Sequence, residues 1–198
     1  MPLEQYRHTN VDALVGILAD AQVGDVKEDQ LRAWRSQYEF LRSSTNTLSS
    51  GTLCFEYVIP RLGKRADNIL IVGNTVLVIE FKVGAQSHYT TDVNQVMDYA
   101  LDLKNFHAES SQATLVPILV ATEAPDKPLS VRVSEDGVSE VVLANSSTLA
   151  SCIKFAVDLG KGALIDPDKW LNGEYRPTPT IIEASQAMMR GHRVSEIA

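Results

Sequence analysis

The sequence predicts an α/β domain, a central mixed β-sheet covered by helices on both faces. Three observations predict it. Apolar residues recur at helical spacing near the start, in 10–20 and 25–42. Three strand-like runs, 53–60, 67–72 and 75–83, lie close enough in sequence to form an antiparallel meander. After them, helical and strand patterns alternate to about residue 159. With 198 residues, 44% hydrophobic and 22% charged, the chain can bury a core without disulfides or a structural metal.

Asn10 is a natural cap for the first helix, whose apolar positions include Val11, Leu14, Val15 and Leu18. Asp25 is placed to cap the second, with Glu28 completing a capping box. The stripe Leu31, Trp34, Tyr38 and Leu41 reads as core packing. Ser43 to Gly51 is a polar loop, and the meander follows it. A helical pattern returns over 90–107 through Val93, Val96, Met97, Ala100, Leu101 and Leu103. Thr114 to Thr122 is a continuous apolar run, as in a strand buried on both faces. Ser139 to Ala144 is a further strand, and Ser146 or Ser147 is set to cap a helix reaching Leu159. From Ile165 onward Pro167, Trp170, Gly173, Pro177 and Pro179 predict an extended connector, then a last helix over 181–190. The expected division is one domain over 1–165, with N-terminal helices in 1–45 and the chemical core in 50–125. Residues 166–198 are expected to lead to a further part, as in a chain cut from a longer protein.

The apolar runs are far shorter than the roughly 18–20 residues that span a bilayer, and the N-terminus has no apolar signal segment. Cys54 and Cys152 lack CxxC spacing and read as buried thiols of a reducing cytoplasm. A net charge of −7 argues against a stand-alone binder of nucleic-acid backbone. His8, His88, His107 and His192 are scattered, with no ligand spacing.

The informative stretch runs from Asp67 to Lys82. Gly73-Asn74 suits a two-residue type II′ hairpin turn, which sets Val72 against Thr75. Five steps outward on each strand, Asp67 then faces Glu80. Directly opposed residues share a face, with Cβ atoms about 4.5–5.5 Å apart. Lys82, two residues beyond Glu80, shares that face. Two carboxylates among Ile69, Ile71, Val76 and Val78 repel in an apolar setting, so either one is protonated or a cation lies between them. Oxygen-only ligands favour Mg²⁺ or Mn²⁺. Lys82 could orient a water or stabilise developing negative charge.

If 61–64 is the connecting loop, Pro60 faces Arg65 and Glu56 faces Ile69, one diagonal step from Asp67. Phe55, Tyr57 and Ile59 then occupy the opposite face. Glu56 is a candidate third acidic ligand or base, or else a salt-bridge partner of Arg61 or Arg65. Gln95 and Tyr99, four apart on a helix, share a face and could aim at the same site. Arg61, Lys64 and Arg65 form a basic cluster that could contact phosphates or be a solvated loop.

Asp67, twelve intervening residues, then Glu80-Phe81-Lys82 resembles the PD-(D/E)XK nuclease signature, with Ala66 where the name has Pro. Gln95-Val96-Met97-Asp98-Tyr99 is similar to the QxxxY motif of the RecB-like branch of that superfamily. Residues 53–123 and 170–184 also resemble the N-terminal region of an uncharacterised prokaryotic family in which a nuclease-like domain precedes a P-loop helicase or ATPase. No G-x-x-x-x-G-K-[ST] occurs here.

The resemblance implies a restriction-endonuclease-like fold and DNA hydrolysis leaving a 5′-phosphate, with endo- or exonuclease action open. It implies DNA processing, with anti-phage defence as the context, and a linked ATPase or helicase partner. It implies a backbone carbonyl ligand from Phe81 besides Asp67, Glu80 and Glu56, with Lys82, Gln95 and Tyr99 assisting. RNA hydrolysis is a further possibility, and a catalytically inactive module for DNA binding or protein interaction is the alternative of a different class.

Overall fold

The computed structural model describes residues 1–22, 25–60 and 62–175. Five strands lie in sequence order in one sheet: β1 (Thr52–Ile59), β2 (Lys64–Val72), β3 (Thr75–Lys82), β4 (Thr114–Ala121) and β5 (Val142–Ala144). The first three form the antiparallel meander, while β4 and β5 add in parallel. The sheet is therefore mixed.

Helices cover both faces, and the apolar positions of each strand decide which. Leu70, Leu77, Ile79 and Phe81 face α1 (Leu3–His8), α3 (Glu28–Ser44) and α5 (Leu149–Asp158). Also on that side is Leu14 of α2 (Val11–Asp20). Ile69, Ile71, Val76 and Val78 face α4 (Thr90–Phe106), through Val96, Tyr99, Ala100 and Leu103. β3 is central, and all its residues but Lys82 are buried. Because β3 and β4 are parallel, a crossover is required, and α4 supplies it.

The helix starts differ in instructive ways. Asn10 accepts the Asp12 amide, as a cap should. Asp25 and Glu28 form no capping box: α3 begins at Glu28 behind Lys27, which caps nothing with its side chain. Glu28 and Asp29 instead place negative charge in the first turn, where the helix dipole favours it. α5 starts behind Thr148 rather than Ser146 or Ser147, and Asn145 Oδ1 gathers the Ser147 and Thr148 amides. α1 was not evident in the sequence pattern, although its Leu3 and Tyr6 are fully buried.

The stretch read as an extended connector contains α6 (Pro167–Leu171). Pro167 is tolerated in its first turn, and Asp166 accepts the Asp168 and Lys169 amides. α6 delivers Trp170 into the core beside His107 and Tyr57. The expected helix over 181–190 lies outside the described residues. Among the described residues no helix is long and apolar enough to cross a membrane. Cys152 is buried, Cys54 is half-buried, and both thiols are free.

Candidate active site

The hairpin positions the first pair of acids. Gly73 has φ +61° and Asn74 does not share the positive sign, the pattern of a type II′ turn. Val72 pairs with Thr75, and the ladder runs outward in register to Asn68 opposite Ile79. One step further stand Asp67 and Glu80. There the side chain replaces the backbone ladder: the Phe81 amide donates to Asp67 Oδ2 at 2.8 Å. A strand residue's N–H and C=O point to the same side in such a ladder, so the Phe81 carbonyl shares the gap with Asp67.

β1 meets β2 in a different register from the expected one. Cys54, not Glu56, faces Ile69, and Val58, not Pro60, faces Arg65. The cause is the connection: β2 begins at Lys64, three residues earlier than its apolar run, directly after Gly63 at φ +60°. Between Phe55↔Asn68 and Tyr57↔Ala66, Glu56 stands directly across from Asp67. Glu56 is the one described non-glycine residue with positive φ, at 49°. That conformation breaks the strand's alternation. Phe55 packs on the α1 and α3 side, whereas Tyr57 and Ile59 pack on the α4 side. The three do not share a face as the plain period-two pattern required. Strained backbone beside a cluster of acids is characteristic of functional sites.

Lys82 joins the acids through its ammonium. Nζ donates to Glu80 Oε1 and Gln95 Oε1, each at 3.1 Å, and lies 3.6 Å from Asp92 Oδ1. Gln95 Nε2 donates to Glu80 Oε1 at 2.7 Å and to Tyr99 Oη at 2.9 Å. α4 therefore brings Asp92, Gln95 and Tyr99 to one place by their spacing of three and four. The end of β3 is held by the Thr122 and Ala85 amides, both on the Lys82 carbonyl.

Glu56 is held from the other face of the sheet. Trp34 Nε1 donates to Glu56 Oε1 at 2.7 Å, and Gln30 Nε2 lies 3.4 Å from the same oxygen. Arg65 approaches Oε2 at 3.9 Å from a largely exposed position. Lys64 is exposed on β2, and Arg61 lies outside the described residues. Of the basic cluster, then, Lys64 and Arg65 are strand residues rather than loop residues.

Electrostatics mark the pair as unsettled. Burial first, and then the Glu80 charge, push the Asp67 carboxyl up to about 8; the Phe81 amide opposes this, and Glu56 adds to it. Burial raises Glu80 as well, against the charge and hydrogen bond of Lys82. Burial alone would lower Lys82, but Glu80, Asp92 and Asp67 outweigh it and hold the ammonium protonated. Glu80 Oε2 is buried and makes no well-formed hydrogen bond, although the Asp67 backbone amide lies close enough to favour the Glu80 charge. Leaving such an acceptor unsatisfied costs about 1–3 kcal/mol.

An open cleft of about 720 Å³ leads to these groups. Asp67, Glu80, Phe81 and Lys82 line one side, and Gln30, Ala33 and Gln37 of α3 line the other. Among the described residues no cluster of three or more His, Cys, Asp or Glu is arranged to hold a metal. Two carboxylates and a carbonyl are nonetheless an all-oxygen donor set suited to a hard cation. The poorly satisfied Glu80 oxygen and the resistance of Asp67 to ionisation fit a missing positive charge. Lys82 does not supply it, since its contact is with the other Glu80 oxygen.

The roles of Trp34, Gln30, Gln37 and Asp92 were not read from the sequence. Trp34 carries a signal in hindsight, because a buried indole N–H needs an acceptor. Gln37 carries another, a polar residue on the apolar stripe between Trp34 and Leu41. No protein-family model, curated protein or solved structure matches the chain.

Proposed function

We propose that this chain is a divalent-cation-dependent nuclease domain that hydrolyses phosphodiester bonds of DNA. One observation carries the reading. Asp67 and Glu80 come together at the open end of a hairpin, beside the anchored ammonium of Lys82, at the floor of a solvent-open cleft. The choice of DNA rests on the resemblance to PD-(D/E)XK and QxxxY nucleases.

In this reading Asp67, Glu80 and the Phe81 carbonyl hold Mg²⁺ or Mn²⁺. When bound there, such an ion would supply positive charge against a phosphoryl oxygen and would lower the pKa of a bound water. Lys82 presents a protonated donor to the attacking water or to a phosphoryl oxygen, and three partners fix its position. Gln95 locks Lys82 and Glu80 together, and Tyr99 fixes the Gln95 amide. Glu56 adds negative charge beside Asp67 from across the strand pair.

The test is cleavage of single-stranded, double-stranded and branched DNA, and of RNA, with Mg²⁺ or Mn²⁺. Lys82→Ala should abolish cleavage, a loss of at least about 100-fold, while the melting temperature shows a folded chain. A second reading, a non-catalytic nuclease-fold module, draws on the net charge of −7 and on the Glu80–Lys82 ion pair, which is complete within the protein. DNA binding with no cleavage of any of these substrates would favour it.

A further inference from the structure

The nuclease reading leaves the cation short of oxygen ligands, and the opposite wall of the cleft holds an unused one. Gln37 sits in the middle of α3 and is only 3% exposed. Its Oε1 is buried with no hydrogen-bond partner, and Glu80 Oε2 is buried without a well-formed one. Both residues line the same cleft as Asp67, Phe81 and Lys82. The two cations that line the cleft are engaged elsewhere, Lys82 with Glu80 Oε1, Gln95 and Asp92, and Arg32 with Asp29.

Gln37 Oε1 and Glu80 Oε2 are two buried acceptors without a well-formed hydrogen bond, and Glu80 stands opposite the carboxyl of Asp67, so a positive charge between these walls would satisfy all three groups. We infer that Gln37 Oε1 is the third side-chain oxygen ligand of the divalent cation held by Asp67 and Glu80. This assignment rests on the cation of the nuclease reading. An amide oxygen is a good ligand for a hard cation. It adds no charge to a gap that already holds the carboxyl groups of Asp67 and Glu80. A third carboxylate would deepen their repulsion. The fold holds Gln37 in place, since it shares a stripe with Trp34, bonded to Glu56, and with Tyr38 and Leu41 in the core. Phe40 stacks on Phe81 at 6.2 Å and ties the same segment of α3 to the end of β3. Asn68 also has unpartnered amide atoms, but it does not line the cleft and is not assigned to the cation.

The experiment is Mn²⁺ binding by the whole 198-residue chain. It is followed by the loss of the free-ion electron paramagnetic resonance signal and by the melting temperature with and without the ion. Gln37→Leu should weaken Mn²⁺ binding about 10-fold or more. Its metal-free melting temperature should match or exceed that of the wild type, because leucine replaces an unsatisfied amide. Gln37→Glu should bind Mn²⁺ at least as tightly as the wild type. Equal Mn²⁺ affinity of Gln37→Leu and wild type would overturn the assignment while leaving the cation site standing. If Gln37→Leu fails to fold, Gln37→Glu decides: retained or tighter binding supports the assignment, and a 10-fold loss overturns it. A wild-type chain that binds no Mn²⁺ removes both the cation site and this ligand.

Discussion

Asp67 shows how one residue can be read from the sequence and still surprise. Its partner across the hairpin was legible because a two-residue turn fixes strand register, and a slip of one would have turned every side chain over. Its apolar neighbours already implied that it or Glu80 would resist ionisation, and burial in the folded chain is the largest cause of that resistance. The folded protein binds the Asp67 proton more tightly than the unfolded chain does, with a pKa near 8 against an ordinary 3.8. The stabilisation from that proton is complete below about pH 3.8 and is lost as pH rises through about 8. In chelator, the melting temperature of Asp67→Asn should therefore gain on the wild type steadily between pH 4 and 8. Saturating Mn²⁺ should close the gap at the alkaline end by stabilising the carboxylate. A difference independent of pH would show that Asp67 ionises freely in the fold.

Strands and helices differ in how much of their placement a sequence carries. The β2–β3 hairpin was legible at single-residue precision, because Gly73-Asn74 permits few other turns. The β1–β2 connection was not, since basic residues 64 and 65 extend β2 and move the turn, setting Glu56 directly across from Asp67. The left-handed backbone of Glu56 has no signature in a glutamate. α3 was legible as a helix but not as a wall of the site, because Gln30, Trp34 and Gln37 act on strands that follow them at a distance. The hairpin turn is clamped by a segment that the sequence left unremarked. Asn74 Nδ2 donates to the Gly162 carbonyl, the Ile165 amide donates to Gly73 O, and Gly160 packs on the turn. A Cβ at Gly160 would clash with both Asn74 Oδ1 and Thr75 Oγ1. Gly160→Ala should cost about 1–3 kcal/mol of stability in chemical denaturation. An unchanged stability would mean that the clamp is loose.

For the molecule as a whole, the α/β class and the mixed sheet were predictable from the order of periodic segments. The meander supplies the antiparallel strands, and one long helix between apolar runs demands a parallel crossover. The two-faced covering explains where a site can form. Both faces of β3 are buried, so reactive groups concentrate where β2 and β3 part beyond Asn68 and Ile79. There α3 approaches from one side and α4 from the other, each bringing polar side chains to a gap the sheet leaves open. Short elements escaped because they carry little periodic signal. α6 has five residues and is anchored by a single buried Trp170.

A divalent cation in that gap is the central claim. Its most direct test is calorimetric titration of Mn²⁺ into the wild-type chain and into Asp67→Ala, both in their folded state. The account predicts one Mn²⁺ bound per wild-type chain and at least a 10-fold weaker isotherm for Asp67→Ala. Absence of binding to the wild type, or identical isotherms for the two proteins, would contradict it.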